Sequence, residues 1–390
     1  MKKVSRVGRF PIAALLFGLL LVGACVPLPQ DASWGHMSLI GDPQQIMFAF
    51  HDRIVLIDPI DGSLSELRDA DGNVRVDEQG SPRPWRVQAA GNQPMRFYSS
   101  PIALDDNTLL AAAYDRRLFE IDLPAARLLT TEGTAVAGQV VADMATNGDM
   151  IYIPLSEGGL VAVNDAAPAD VVWRFTSDHG VWTKPLLVED TLYVSGMDHF
   201  LYALNATTGE ERWRIDLGGA VASTPVLHDD HLYVGSFARK LFKIRLDGSI
   251  AAEYSVNEWV WGSPAIVDNT LYIGDAGGWV YALSVNADSF EPVWTRQVAS
   301  RTVRGTPLVT EEYVIVGSRD QNVYWVSRAT GEELIRRNVE AEILADLLLL
   351  EPSESLNIPE PMVIVSTMAY DKLLFAFTVD NGELRWRYAQ

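Results

Sequence analysis

The sequence predicts an all-β protein, an eight-bladed β-propeller built from four-stranded blades. Three observations carry that prediction. A segment recurs along the chain about every 40 residues, and a fixed internal period decides architecture before local propensity does. Each copy alternates short apolar runs with Gly-, Asn- or Asp-bearing turns. Beyond the N-terminal segment, no stretch holds the 3.6-residue apolar period of an amphipathic helix.

Composition bounds the rest. The 390 residues carry 51 Asp or Glu against 31 Lys or Arg, with a single cysteine. Such a length buries a sizeable core without the staples that small secreted folds need. One cysteine excludes an intramolecular disulfide and a Cys-based metal cluster. A formal charge of −20 argues against nucleic acid, whose affinity comes from Lys and Arg neutralising phosphates.

The chain opens with Lys2, Lys3, Arg6 and Arg9, followed by the apolar run 10–24. That run is short of the ~20 residues a spanning helix needs, so 1–24 reads as a signal peptide. It ends Leu21-Val22-Gly23-Ala24-Cys25 and resembles the lipobox of bacterial lipoproteins. The resemblance implies cleavage before Cys25, a diacylglycerol on its thiol and a further acyl chain (palmitate-like) on its amine. Several chains hold a membrane where one holds only marginally. An acidic surface is repelled by anionic headgroups, so the lipid must supply the anchoring. Residues 25–36 then form a tether at most about 35 Å long, and 37–390 the propeller.

Five repeat copies are plain: 100–123, 184–213, 224–249, 263–285 and 306–334, anchored on Pro101, Pro185, Pro225, Pro264 and Pro307. Degenerate copies near Leu39, Val140 and Asp346 complete a count of eight. A second ladder of large apolar residues closing each unit gives the same count: Trp85, Leu129, Trp173, Trp213, Tyr254, Trp294, Ile335 and Trp386. Within a unit, runs such as LYVGS and LYIGD are followed by LYAL or VYAL after a short polar or glycine-rich loop, as in a hairpin. The turns TTG, LDG, ATG and DNG supply positive φ at Gly or Asn, and Thr or Asp bonds the backbone. Four short strands repeated eight times close into a ring that removes exposed sheet edges. Segments 68–84 and 351–361 are insertions in this frame.

The stretch Asn205-Ala206-Thr207-Thr208-Gly209-Glu210-Glu211-Arg212-Trp213, with partial copies at 328–334 and 380–386, resembles the quinoprotein (PQQ-like) repeat. The resemblance implies that the glycine makes the outer turn and the tryptophan docks on an adjacent blade. No Trp-Asp dipeptide occurs, which sets the chain apart from WD40 propellers. The quinoprotein family holds both quinone-dependent dehydrogenases and non-catalytic scaffolds. The alcohol-dehydrogenase type carries a disulfide of adjacent cysteines over its cofactor, whereas this chain has one cysteine and no long insertion for a lid. A lipobox followed at once by eight such blades resembles the BamB family, propeller lipoproteins of outer-membrane β-barrel assembly. That resemblance implies a non-catalytic scaffold without cofactor, whose protein partners belong to a β-barrel assembly complex. It also implies a place on the periplasmic face of the outer membrane, or on the outer face of the cytoplasmic membrane in a host without one. The alternatives are a periplasmic quinone-dependent oxidoreductase and an extracytoplasmic ligand-binding propeller.

Local chemistry is sparse. The run 69–78 has the acids of a calcium loop, but its glycine is misplaced and the closing bidentate Glu is missing; a hairpin turned at Asp71-Gly72 fits it better. His228 and His231 flank Asp229 and Asp230 in an expected solvated turn, without zincin spacing. No P-loop, GxSxG elbow or strand-borne GxGxxG is present. The repeat frame supplies the remaining site. Three residues before the anchor prolines stand Tyr98, Trp182, Ala222, Trp261 and Arg304, one residue after Val181, Val221, Val260 and Val303 in the last four cases. Period-two alternation sends the valines to the interblade core and the other set to the axis. Tyr98, Trp182, Trp261 and Arg304 then either ring a channel that holds a peptide or aromatic ligand, or plug it.

Overall fold

Each repeat becomes one antiparallel sheet in a computed structural model that describes residues 35–41, 43–69, 71–88, 95–286, 289–369 and 371–389. Among these residues seven sheets have four strands and one has five, with the strands side by side in chain order in the first four places. Blades 1 to 8 span 36–88, 102–135, 145–175, 186–216, 226–255, 265–297, 308–338 and 348–388. The expected signal segment 1–24 and Cys25 lie outside the described residues. The first strand is His36–Ile40.

The second and third strands of a blade are buried almost end to end, as in Thr191–Ser195 and Phe200–Asn205 of blade 4. A sheet covered on both faces needs such continuous apolar runs. The outermost strand, Glu211–Asp216, alternates between partly buried and exposed positions because only one face meets a neighbour. The hairpins joining first to second strands are tight: Asp229 and Asp230 have φ of 46° and 56°, and Asp268 and Asn269 have 48° and 57°. Positive φ at both central residues is the twist-compatible type I′ geometry, which Asp and Asn tolerate.

Eight interblade cores follow one another round the ring. The last unites Phe48 and Val55 of blade 1 with Leu374 and Trp386 of blade 8, so the ends of the chain pack together. The quinoprotein-type residues make the joints. Trp173, Trp213, Trp294 and Trp386 each lie over the turn glycine of the next blade, Gly209, Gly248, Gly331 and Gly62 respectively. Each indole N–H donates to that turn: Trp173 to Ala206 O (3.1 Å), Trp213 to Leu246 O (2.9 Å), Trp294 to Arg328 O (2.8 Å) and Trp386 to Pro59 O (2.9 Å). The glycine is doubly required. Its φ lies between 71° and 87° at these turns, and a Cβ would enter the stacked ring, 2.5 Å from Trp173 at Gly209.

A second clasp joins the blades nearer the axis. Tyr202, Tyr281 and Tyr324 donate their hydroxyls to Asp198 (2.6 Å), Asp275 (2.8 Å) and Asp320 (2.8 Å). The same carboxylates accept backbone N–H groups of Asp178, Glu258 and Ser300 from the preceding interblade connections. Burial, helped by the adjacent carboxylate, raises the pKa of all three phenols.

Three of the eight joints depart from the tryptophan pattern. Leu129 is 44% exposed, because the outer strand of blade 2 breaks into Arg127–Leu128 and Thr134–Ala135, both paired to Arg117–Asp122. Tyr254 is out of register: Trp213 faces Ala203, but in blade 5 the corresponding pair is Ala252 and Lys243. Lys243 is 5% exposed, and its ammonium donates to Val285 O (3.2 Å), the carbonyl equivalent to those the indoles reach. Ile335 holds the joint position, but large and small have exchanged: it faces Trp325, which is fully buried with its N–H unpartnered among the described residues. Arg337 then supplies the lost donor, from Nε to Gly382 O (2.7 Å). The count of eight holds, while three joints close without an indole.

Both insertions are local. Segment 64–84 is a curled hairpin between the third and fourth strands of blade 1, bridged at Glu66–Pro84, Arg68–Val74 and Val76–Pro82. The Asp69 carboxylate accepts the N–H groups of Asp71 and Asn73 in its turn, and Asp77 those of Gln79 and Ser81. Segment 351–361 is a hairpin loop bridged at Ser353–Ile358. Among the described residues no helix is long and apolar enough to cross a membrane.

Candidate functional site

Alternating strands place the second-to-third loops and the interblade connections together at one end of the ring, here termed the entry face. The chain enters each innermost strand from that end. Val181, Val221, Val260 and Val303 are fully buried in four interblade cores. Strand alternation therefore turns the next residue of each connection to the axis. Trp182, Trp261 and Arg304 line one axial cavity of about 270 Å³, with Ala222 between the two tryptophans. Tyr98 does not join them: only 4% exposed, it packs on Val141 and Tyr114 (5.2 Å between rings). The four expected residues thus separate into three at the cavity and one in the wall.

A second tier lies two residues further along each innermost strand, where strand register matches one residue from every blade. Blades 1, 3, 4 and 8 supply the ionisable His36, Asp143, Lys184 and Asp346 to the cavity wall. Blades 5, 6 and 7 supply the hydroxyls of Thr224, Ser263 and Thr306. The tier is stitched circumferentially: Asp143 accepts the N–H of Ser100 (2.7 Å), Ser263 that of Thr224 (3.0 Å) and Asp346 that of Thr306 (2.7 Å). His36 Nδ1 lies 3.4 Å from Asp143. Burial opposes charge on His36, but the Asp143 charge and hydrogen bond outweigh it and its pKa rises above 6.5. Burial likewise opposes charge on Asp143, and His36 with the Ser100 N–H brings its pKa below the usual value. Burial lowers Arg304 to about 10, still protonated at neutral pH, while its guanidinium lies 4.5 Å from the Trp261 ring.

Sequence reasoning missed this tier. Lys184 was within reach, since it precedes an anchor proline. His36, Asp143 and Asp346 precede Met37, Met144 and Leu347 instead, in the degenerate copies where no proline marks the register.

Aromatic groups continue from the cavity onto the entry face. Trp261 meets Phe237 (5.1 Å), which stacks on Trp259 (5.4 Å, 12° between planes). Trp259 is 49% exposed, and Arg239 pairs with Glu258 (3.3 Å) beside it. Elsewhere His228 bonds Asn269 of the next blade and His231 bonds the Asp229 carbonyl. Among the described residues no three His, Cys, Asp or Glu side chains gather as a metal site.

Four-stranded blades, turn glycines under neighbouring indoles and an axial cavity together define a quinoprotein-type repeat propeller. Comparison with known proteins gives the family. Residues 157–287 and 284–390, more than half of the chain, match the family model described as outer membrane protein assembly factor BamB, so the chain belongs to the BamB family. It is 20% identical over 210 residues to the BamB of Salmonella typhimurium, covering 53% of each chain. The chain thus spans about half the length of the curated relatives it matches. It is also 26% identical over 151 residues to a tetrathionate hydrolase of Acidithiobacillus ferrooxidans, covering 32% of this chain and 30% of that one. The crystal structure of BamB from Moraxella catarrhalis superimposes with a TM-score of 0.62 at 16% identity, covering 85% of this chain and 91% of that one.

Proposed function

We propose that this protein is a lipid-anchored, non-catalytic scaffold that docks a partner of the outer-membrane β-barrel assembly machinery on its entry face. The stack of half-exposed Trp259 on partly buried Phe237 carries this reading. An indole half exposed to water contributes little to the fold, and aromatic residues dominate the centres of protein interfaces. The Arg239–Glu258 pair beside it has the character of a polar rim. Membership of the BamB family and the lipobox ending at Cys25 support the same role and an envelope location. The formal charge of −20 favours a partner with a basic surface and speeds its approach.

Co-purification of the β-barrel assembly complex with the full chain tests the proposal. Replacing both Trp259 and Phe237 by Ala is expected to weaken capture by about thirtyfold or more, as losing a central hot spot does, with little change in melting temperature. Undiminished capture would defeat the docking surface. A quinone-type visible absorption band in the purified chain would replace the scaffold with an oxidoreductase.

A further inference from the structure

We propose that the axial cavity is a binding site for a small zwitterion, an α-amino acid or dipeptide bearing an apolar or aromatic side chain. The inference does not need the scaffold role: the cavity is lined by Trp182, Lys184, Arg304 and Asp346, and the docking pair Phe237–Trp259 adjoins them only through Trp261.

Three features lead to it. First, the axis is lined but not filled: about 270 Å³ stays open, and Trp182 is 38% exposed. Ala222 contributes only a methyl group between Trp182 and Trp261, leaving a slot walled by two indoles. Flat or branched apolar groups favour such a slot.

Second, charge is divided across the cavity. Blades 4 and 7 present Lys184 and Arg304, while blades 3 and 8 present Asp143 and Asp346. Lys184 is exposed to the cavity and has no ion-pair or hydrogen-bond partner among the described residues. A wholly anionic ligand would suit Lys184 but meet Asp346 and the His36-paired Asp143, and a cationic ligand would suit Asp346 but meet Lys184 and Arg304. A molecule carrying both charges matches both walls, its carboxylate toward Lys184 and its ammonium toward Asp346.

Third, the wall holds an unspent polar group. The Thr183 side chain is 4% exposed beside the cavity, and among the described residues its hydroxyl has no hydrogen-bond partner. Buried polar groups are nearly always satisfied, so a lone one beside a cavity marks a place for a ligand atom or water.

Calorimetric titration of the purified full chain decides the matter. The probes are L-leucine, leucyl-leucine, N-acetyl-leucine without the ammonium, and leucinamide without the carboxylate. At least one zwitterion is expected to bind saturably, and each capped form about ten- to hundredfold more weakly, as a lost charge-assisted hydrogen bond implies. Lys184→Met is expected to weaken the zwitterion by a similar factor while leaving leucinamide unchanged. Because Lys184 is exposed, this variant should fold. Ala222→Phe, which fills the slot, is expected to abolish binding of every probe, with circular dichroism confirming the fold. No saturable heat with either zwitterion at millimolar concentration would overturn the proposal. So would capped forms binding as tightly as the zwitterions, which would leave a simple anion or cation site.

Discussion

The joint between blade 8 and blade 1 offers the sharpest test of what holds the ring. Trp386 and Pro59 are 327 positions apart in sequence, and their hydrogen bond lies in the seam where the ends of the chain meet. Trp386 is 7% exposed, so truncation to Ala should cost about 3–5 kcal/mol through lost contact and cavity. Gly62 lies under the indole with φ 74°. Gly62→Ala therefore meets two penalties, about 1–2 kcal/mol for a left-handed non-glycine residue and about 1–3 kcal/mol for overpacking the ring. In a Trp386→Ala background the second penalty vanishes and only the backbone cost remains. A double-mutant cycle by urea denaturation should thus show a coupling of about 1–3 kcal/mol. Gly62→Ala costing the same in both backgrounds would refute the idea that the stacked indole demands the glycine. The same cycle at Gly209 and Trp173 should return a similar coupling.

Four further outcomes follow from the same geometry. Tyr281→Phe leaves the Asn257 N–H and the Asp275 carboxylate each short of a partner 2.8 Å away, and should lower unfolding free energy by about 1–3 kcal/mol in urea titrations. Lys243→Met keeps the packed stem but removes the donor to Val285 O, with an expected loss of about 1–3 kcal/mol by the same measurement. The His36–Asp143 pair predicts a pH dependence. His36 is raised, so its stabilisation is complete below 6.5 and fades as pH rises through the folded value. Asp143 is lowered, so its stabilisation is complete above 3.8 and fades as pH falls. His36→Gln should therefore flatten the fall in urea midpoint between about pH 5 and about pH 9; an equal fall in variant and wild type would exclude the pair as its source. Finally, Cys25→Ser should move the protein from the membrane pellet to the soluble fraction on fractionation.

How much was legible depended on whether a residue's role lay in the repeat frame or departed from it. The prolines, the turn glycines and the tryptophans recur at one spacing because every blade solves the same packing problem. A single chain therefore carries several copies of each signal. Tyr254 shows where that reasoning stops. It is the large residue nearest the expected spacing, yet the outer strand's pairing puts Ala252 at the joint and sends a lysine to do the indole's work. Nothing in the local sequence marks Lys243 as buried, since its partner carbonyl belongs to the next blade. Tyr98 makes the same point at the axis: it shares the frame of Trp182 and Trp261 but is covered by Tyr114 and Val141.

By itself the sequence determined the all-β class, the eight units, the turn chemistry and the acidic character, because all of these follow from local pattern or from counting. Only the tertiary structure decided which joints are closed by tryptophan, lysine or arginine. It also brought His36, Asp143, Lys184 and Asp346 to one cavity from four different blades. The physical reason is common to both. Strand periodicity and turn geometry act within a few residues of chain, whereas an axial site and an interblade joint are built from blades about 40 residues or more apart, whose contacts exist only once the ring has closed.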